Sequence, residues 1–199
     1  MAAAAAALLG AFVLAAPLGA VTPPVAISVR PTVVTATSTV ELFGRLSNGA
    51  TGQTIQIEMS QCNGYGWLVV NHAETGSLGA WSVEMNPNVT TKFRARWRNS
   101  PSNAVTVRAR PDIFIDNHHH ARLLIQVRAN DYFKRALLER RAGARWVRVK
   151  TFALGRAGPF GSGADLHLKL ARGTHLRVSL SQAQVGRCYL PGSATTVLS

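Results

Sequence analysis

The chain carries an internal repeat with a spacing of about 85 residues, too long for a solenoid unit and suited to one small domain. Residues 91–97 (TKFRARW) align with 174–180 (THLRVSL), and residues 101–107 (PSNAVTV) align with 191–197 (PGSATTV). A repeat of this length predicts two tandem copies of one module, each able to bury a modest core of its own.

Short segments in which apolar and polar side chains alternate predict strands whose sheets bury one face. Turn-forming sequences such as Asn63-Gly64 separate these segments, and no amphipathic helix is expected after residue 20. The predicted inward rows are Ile55, Ile57 and Met59; Trp81, Val83 and Met85; Phe93, Ala95 and Trp97; Val105 and Val107; Leu123, Ile125 and Val127; Leu166, Leu168 and Leu170; and Leu176, Val178 and Leu180.

Regular turn spacing and alternation together predict an all-β chain of two tandem antiparallel β-sandwich domains behind an N-terminal signal segment. A proline interrupts the pattern at Arg110-Pro111-Asp112, which is the expected boundary. The expected divisions are a signal peptide at 1–20, a first sandwich at 25–110 and a second at 111–199.

The N-terminal segment is rich in Ala, Leu and Val and ends in small residues, as secretory signals do. Cleavage is expected after Ala15, Ala16 or Ala20, although no Lys or Arg precedes the apolar run. A membrane anchor is the alternative, but a run of about 16 apolar residues is shorter than the roughly 20 that span a bilayer. The expected location is therefore secreted, extracellular or cell-surface, with membrane contact only through an uncleaved signal segment.

The chain also resembles a known family in the segments that carry its repeat. It is similar to the bacterial Ig-like repeats, fibronectin III-like β-sandwiches of secreted and surface proteins from high-GC bacteria. The resemblance covers about residues 25–199 and implies an extracellular sandwich with no catalytic residues to carry over. Its matching segments are 43–46, 52–57, Trp67, 91–97 and 102–107 in the first half, and 138–141, Trp146, 173–178 and 189–192 in the second.

Two cysteines, Cys62 and Cys188, fall one in each repeat at positions that are not equivalent. In an oxidising compartment such a pair often forms a bridge, which here would join the two domains. A free thiol and an intermolecular bridge are the alternatives that the sequence leaves open.

The charge of the chain is strongly basic and unevenly distributed. It has 22 Lys and Arg against 9 Asp and Glu, for a net charge of +13. Residues 1–110 hold 8 basic and 4 acidic side chains, whereas residues 111–199 hold 14 and 5. A basic surface attracts polyanions, so any such site is expected in the second module; the alternative is that these cations only solvate the surface.

The densest basic cluster of the second module surrounds a tryptophan. Alternation would send Val147 and Val149 to the core and leave Trp146 outside beside two cations. An exposed indole with guanidinium groups can stack a sugar or base and pair an anion, whereas a bulge would turn the indole inward. The candidate polyanion or glycan site is Arg140, Arg141, Arg145, Trp146, Arg148 and Lys150, with Arg172 and Arg177 widening it.

The sequence gives little support for a metal site or for catalysis. The histidine run His118, His119 and His120 puts neighbours on opposite faces of a strand, so we expect an exposed turn and no metal site. Glu58 and Glu139 occupy equivalent strand positions, which indicates a structural role. No nucleophile elbow, phosphate-binding glycine loop or zinc-protease motif is present, so no catalytic residue and no cofactor is expected.

The sequence therefore predicts a non-enzymatic envelope protein with a binding or structural role. The expected partner is an anionic envelope polymer or another surface protein. One alternative is a self-assembling extracellular protein that pairs through exposed edge strands and unpaired cysteines. The third is non-specific binding of extracellular nucleic acid, for which the aromatic residues form no interleaved platform.

Overall fold

The computed structural model of the protein describes residues 24–64, 66–118, 122–159 and 161–198. The predicted signal segment, His119, His120 and the side chain of His118 lie outside the described parts. The described chain is nearly all β, which confirms the predicted fold class. We call 24–110 the N-terminal half and 111–198 the C-terminal half.

The N-terminal half forms two sheets. One has the strand order β1-β3-β6, and the other the order β2-β9-β7-β4-β5, with β8 paired to β7. The pairs are antiparallel except β2 with β9. Its strands are β1 (Val25–Arg30), β2 (Val33–Thr35), β3 (Val40–Leu46), β4 (Thr54–Gln61), β5 (Leu68–Glu74), β6 (Ala80–Met85), β7 (Thr91–Trp97), β8 (Ser100–Pro101) and β9 (Val105–Arg110).

The C-terminal half forms two antiparallel sheets, with strand orders β10-β11-β15-β14 and β13-β12-β16-β17. A one-turn helix, α1 (Gln182–Val185), precedes the last strand. It was not expected, because four residues are too few to show a helical period. The strands are β10 (Asp112–His118), β11 (Arg122–Arg128), β12 (Arg135–Ala142), β13 (Arg145–Ala153), β14 (Gly155–Arg156), β15 (Gly161–His167), β16 (His175–Leu180) and β17 (Gly192–Val197).

Each half packs its two sheets face to face over a core of inward-facing side chains. In the N-terminal half Leu42 and Trp81 of one sheet meet Ile57 and Phe93 of the other. In the C-terminal half Leu123, Ile125 and Val127 meet Leu138, Leu176 and Val178. The predicted inward rows are thus largely confirmed, although seven of their members are only partly buried against the cores: Met59, Val83, Met85, Trp97, Val105, Leu168 and Leu170.

The two halves meet at a joint that is covalent as well as packed. Cys62 and Cys188 form a disulfide, which selects the bridge among the three alternatives and removes the unpaired thiols that the self-assembly hypothesis invoked. Two backbone hydrogen bonds cross the joint, from Thr90 N to Cys188 O (3.1 Å) and from Leu190 N to Ala109 O (2.8 Å). Val89 and Ala109 also belong to the apolar cluster of the C-terminal half.

A buried tyrosine completes this joint from the C-terminal side. The Tyr189 hydroxyl donates to Asn88 O (2.9 Å) and accepts from Asn130 N (2.9 Å), so one oxygen ties together both halves. Burial raises the pKa of Tyr189 to about 12, which keeps this hydroxyl protonated and able to donate. The Phe133 ring packs edge-on against it.

Candidate functional site

The predicted cations lie on the hairpin of β12 and β13, at the edge of its sheet. We call this element the basic hairpin. Its turn uses Gly143 at φ +60°, a left-handed conformation that glycine adopts without strain. A bulge between Leu138 and Glu139 leaves Val149 without a partner on β12, so the alternation of β13 changes sides at that point.

The bulge corrects the predicted orientation of the strand. Val149 packs partly against the core, but Val147 is 42% exposed instead of buried. Lys150 falls opposite the inward-facing Leu138, while Arg148 falls opposite Glu139. The prediction that Trp146, Arg148 and Lys150 share one face is therefore wrong for Lys150.

The six predicted residues divide between the two sides of the basic hairpin. Arg141, Trp146 and Arg148 share the outer face of the sheet, because Arg141 is opposite Trp146 and Arg148 is opposite Glu139. Arg140 is opposite Val147, Arg145 is opposite Ala142, and these two cations project from the other side. Trp146 and Lys150 are half-buried, and the other four are exposed.

The indole of Trp146 is covered by one of the protein's own guanidinium groups. Arg177 on β16 places its Cζ 4.7 Å from the centre of the Trp146 ring. The same guanidinium donates to both carboxylate oxygens of Glu139, at 2.7 and 2.8 Å, and Ser179 adds a third hydrogen bond at 3.1 Å. Arg177 is thus bound within a Glu–Arg–Trp stack and does not widen the free cationic surface.

The electrostatics of this stack keep its carboxylate charged. The hydrogen bond from Arg177 lowers the pKa of Glu139 and outweighs the opposing effect of burial, with further lowering by Ser179 and by the charge of Arg148. The hydrogen bond to Glu139 in turn raises the pKa of Arg177. Glu139 is only 8% exposed, and its hydrogen-bonded ion pair is with Arg177.

The N-terminal half contains the same stack at the equivalent positions. Glu58 accepts from Arg94 Nε (2.5 Å) and Arg96 Nε (2.7 Å), and the Arg94 guanidinium lies 4.3 Å from the centre of the Trp67 ring. A bulge between Ile57 and Glu58 again leaves one valine of the edge strand unpaired. The predicted equivalence of Glu58 and Glu139 is confirmed, and the duplication identifies the stack as part of the scaffold.

The basic hairpin differs from the first hairpin in carrying cations, because β4 and β5 contain no Lys or Arg. Within the described residues, no ion pair joins Arg140, Arg141, Arg145 or Lys150 to a carboxylate. The carboxylates of Asp112, Asp165 and Glu139 pair with Arg128, Arg122 and Arg177. The basic hairpin consequently presents uncompensated positive charge to solvent.

Neither a metal-binding cluster nor a membrane-spanning helix occurs in the described parts of the chain. No three His, Cys, Asp or Glu side chains lie close enough together there to hold a metal ion. No helix in those parts has the length and apolar character needed to cross a bilayer.

Comparison with known proteins assigns no family to the chain. No family model matches it, and neither does any curated protein. Many solved structures match it, and three of them, all of low sequence identity, are described below. The human OSCAR ligand-binding domain is 14% identical, with a TM-score of 0.29, and the match covers 89% of this chain and 98% of that one.

The second structure is a tetra-tandem repeat from the extending region of a large adhesion protein. It is 16% identical with a TM-score of 0.36, and the match covers 89% of this chain but only 49% of that one. The third is a cytokine receptor complex, 14% identical with a TM-score of 0.31, covering 88% of this chain and 95% of that one. TM-scores this low assign neither a family nor a function to the chain.

Proposed function

We propose that the chain is an exported, non-enzymatic protein of two Ig-like domains, 25–110 and 111–199, that attaches to an anionic polymer of the cell envelope. The basic hairpin is the attachment site. The observation that carries the proposal is its cluster of cations without carboxylate partners, beside a glutamate already neutralised by Arg177.

Export is supported by covalent chemistry and by the sequence. The disulfide of Cys62 and Cys188 is typical of oxidising compartments outside the cytosol. The apolar segment predicted as a signal peptide, and the resemblance to bacterial Ig-like repeats of secreted and surface proteins, agree with that location.

A binding role is supported over catalysis by the state of the buried carboxylates. Glu58 and Glu139 are the buried acidic residues of the described chain, and both are held in ion pairs with arginine. Their lowered pKa values suit a permanent negative charge and not the proton exchange that general acid–base catalysis requires.

The chemistry of the cations favours a multivalent anion. Guanidinium groups bind carboxylate or phosphate through paired hydrogen bonds, and they stay charged at every physiological pH. Cations on both sides of one hairpin suit a flexible polymer that can wrap around an edge better than a flat ligand. Because the groups are exposed, the attraction should weaken as salt rises.

The test compares two charge-reversed variants on anionic and neutral polymer matrices across a salt series. We expect R145E/R148E/K150E to lose affinity for the anionic matrix by at least about tenfold, which corresponds to about 1.4 kcal/mol. The matched control, K134E/K169E/R187E, changes the net charge equally at exposed positions of the same half that lie outside the candidate site, and it should retain most of the binding.

Three outcomes would contradict this proposal. Equal losses of affinity in the two variants would show that binding depends on net charge and not on the basic hairpin. Retention of wild type on neither matrix would show that the protein does not bind such polymers. Retention on immobilised DNA with a steeper salt dependence would favour the nucleic-acid alternative.

Self-assembly remains the second candidate because of one observation in the N-terminal half. Leu68 and Val69 on the edge strand β5 are 58% and 48% exposed, and edge strands with exposed apolar side chains can pair between molecules. Sedimentation of wild type and L68K/V69K over a range of concentrations tests it: a dimer lost in the variant would favour assembly.

A further inference from the structure

A groove opens where the two halves meet, on the outer side of the sheet that carries the basic hairpin. It has a volume of about 630 Å³ and is lined by residues of both halves. We call it the junction groove. Clefts between domains are frequent ligand sites, and the disulfide and Tyr189 hold both walls of this one in place.

One wall of the junction groove comes from the N-terminal half. Thr35 and Arg110 are register partners on β2 and β9, so their side chains lie next to each other at the sheet edge. Both are exposed, and within the described residues neither side chain has a hydrogen-bond or ion-pair partner. This wall therefore offers a free hydroxyl beside a free guanidinium.

The opposite wall comes from the outer face of the C-terminal sheet. Ser179 and Ser193 are register partners on β16 and β17, and Ser193 is exposed with no side-chain hydrogen bond to another described residue. Arg177 also lines this wall, so the groove and the Glu–Arg–Trp stack share one side chain. The groove is thereby continuous with the face of Trp146 and Arg148.

The lining chemistry selects the class of ligand. Asp112, the one carboxylate among the described lining residues, pairs with Arg128 at 2.8 Å and leaves the groove positive. The described lining contains no aromatic ring on which a neutral sugar would stack. Free hydroxyls beside a free guanidinium suit a ligand with many hydroxyls and an anionic group.

We propose that the junction groove binds an acidic saccharide unit, with Arg110 holding its anion and Thr35 and Ser193 bonding its hydroxyls. The inference rests on the proposed function, because such a unit would belong to the polymer that the basic hairpin attracts. The groove then supplies recognition of the unit, while the hairpin supplies general attraction. The anion is a uronate carboxylate or a phosphate diester, which guanidinium groups bind in the same way.

The test measures binding of short oligomers by calorimetry, with oligogalacturonate as the carboxylate probe and oligo(glycerol phosphate) as the phosphate probe. We expect R110A to weaken binding of the preferred probe about five- to tenfold, and methyl-esterified oligogalacturonate to bind neither protein. R108A is the matched control, because Arg108 is an exposed arginine on the same strand that does not line the groove. A second variant, S193Y, fills the groove from the other wall and should weaken binding as well.

Each outcome separates the groove from the basic hairpin. Loss in R110A and S193Y but not in R108A supports the groove, and it does so even if R145E/R148E/K150E still binds and the hairpin proposal falls. Unchanged binding in R110A and S193Y, with loss in the hairpin variant, overturns the groove alone. Equal losses in R110A and R108A also overturn it, and so does binding of neither probe by a wild-type protein that is retained on the anionic matrix.

Discussion

The edge hairpins of the two halves, β4–β5 and β12–β13, share one scaffold but differ in charge. Each has a bulge before its glutamate, an arginine bound between that glutamate and a tryptophan, and the same succession of exposed and half-buried residues after the tryptophan. The loop of the first hairpin carries Cys62, which is fixed to the C-terminal half, whereas the second hairpin has an exposed turn at Gly143.

This comparison separates residues that stabilise the sandwich from residues that the fold does not require. A feature present in both halves, such as the Glu–Arg–Trp stack, is explained by the fold. A feature present in one half needs another explanation. The cations Arg148 and Lys150, which replace Val69 and Asn71 of the first half, belong to the second kind.

The largest expected effect concerns the joint that fixes the first hairpin. We expect C62S/C188S to lower the free energy of unfolding by up to about 5 kcal/mol, because a bridge across 126 residues of chain restricts the unfolded state strongly. Denaturant unfolding of oxidised wild type, reduced wild type and the double variant measures it. The reduced wild type should match the variant, and a variant as stable as the oxidised protein would contradict the covalent joint.

A smaller effect should distinguish the two stacks. We expect E139Q to cost about 2 kcal/mol and E58Q somewhat more, because the first leaves one guanidinium unpaired in the sheet and the second leaves two. Chemical denaturation of each variant at neutral pH measures the difference. Costs near zero for both would show that the stacks contribute nothing to stability.

The same glutamates predict a pH dependence. Burial tends to raise the pKa of Glu58, but hydrogen bonds from Arg96 and Arg94 outweigh it, and the pKa values of both glutamates are lowered on folding. A lowered carboxyl pKa stabilises the fold above the unfolded-state pKa, and that stability is lost as pH falls from about 5 to 2. Denaturant midpoints measured across this range should fall less steeply for E58Q/E139Q than for wild type, and parallel curves would contradict the assignment.

The smallest expected effect is a gain in polymer retention when cations of the second hairpin are introduced at the equivalent positions of the first. Ser60 and Val69 stand where the second hairpin has Arg141 and Arg148, so S60R/V69R should give the first hairpin part of the same cationic surface. We expect retention on the anionic matrix to rise by about twofold, since exposed charges contribute little each. S60Q/V69Q is the uncharged control, and an equal rise in both variants would assign the effect to polarity.

Much of this architecture could be predicted from the sequence because it depends on local periodicity. Two of the predicted inward rows are fully buried, as expected: Leu123, Ile125 and Val127, and Leu176, Val178 and Leu180. The bulge at Val149 could not be predicted, since Val147 and Val149 keep perfect alternation in sequence and only the partner strand shows the extra residue.

The parts of the site that were missed depend on pairings between distant segments. Arg177 reaches Trp146 because β12 lies between their strands in the sheet, and Cys62 reaches Cys188 although the two occupy non-equivalent repeat positions. The sequence around each of these residues contains no signal that identifies its partner. One available signal was the equivalence of Glu58 and Glu139, each opposite an arginine in the aligned strands, which indicated an ion pair in both halves.

The position of the disulfide also sets how the protein would respond to mechanical tension between its ends. Because Cys62 and Cys188 close a covalent loop, a pull on the two termini would be carried by the segments before Cys62 and after Cys188 and by the bridge itself. While the bridge is intact, such a pull could not extend the chain between the cysteines, which includes the basic hairpin. An attachment placed inside that loop could keep its shape while the rest of the molecule is stretched.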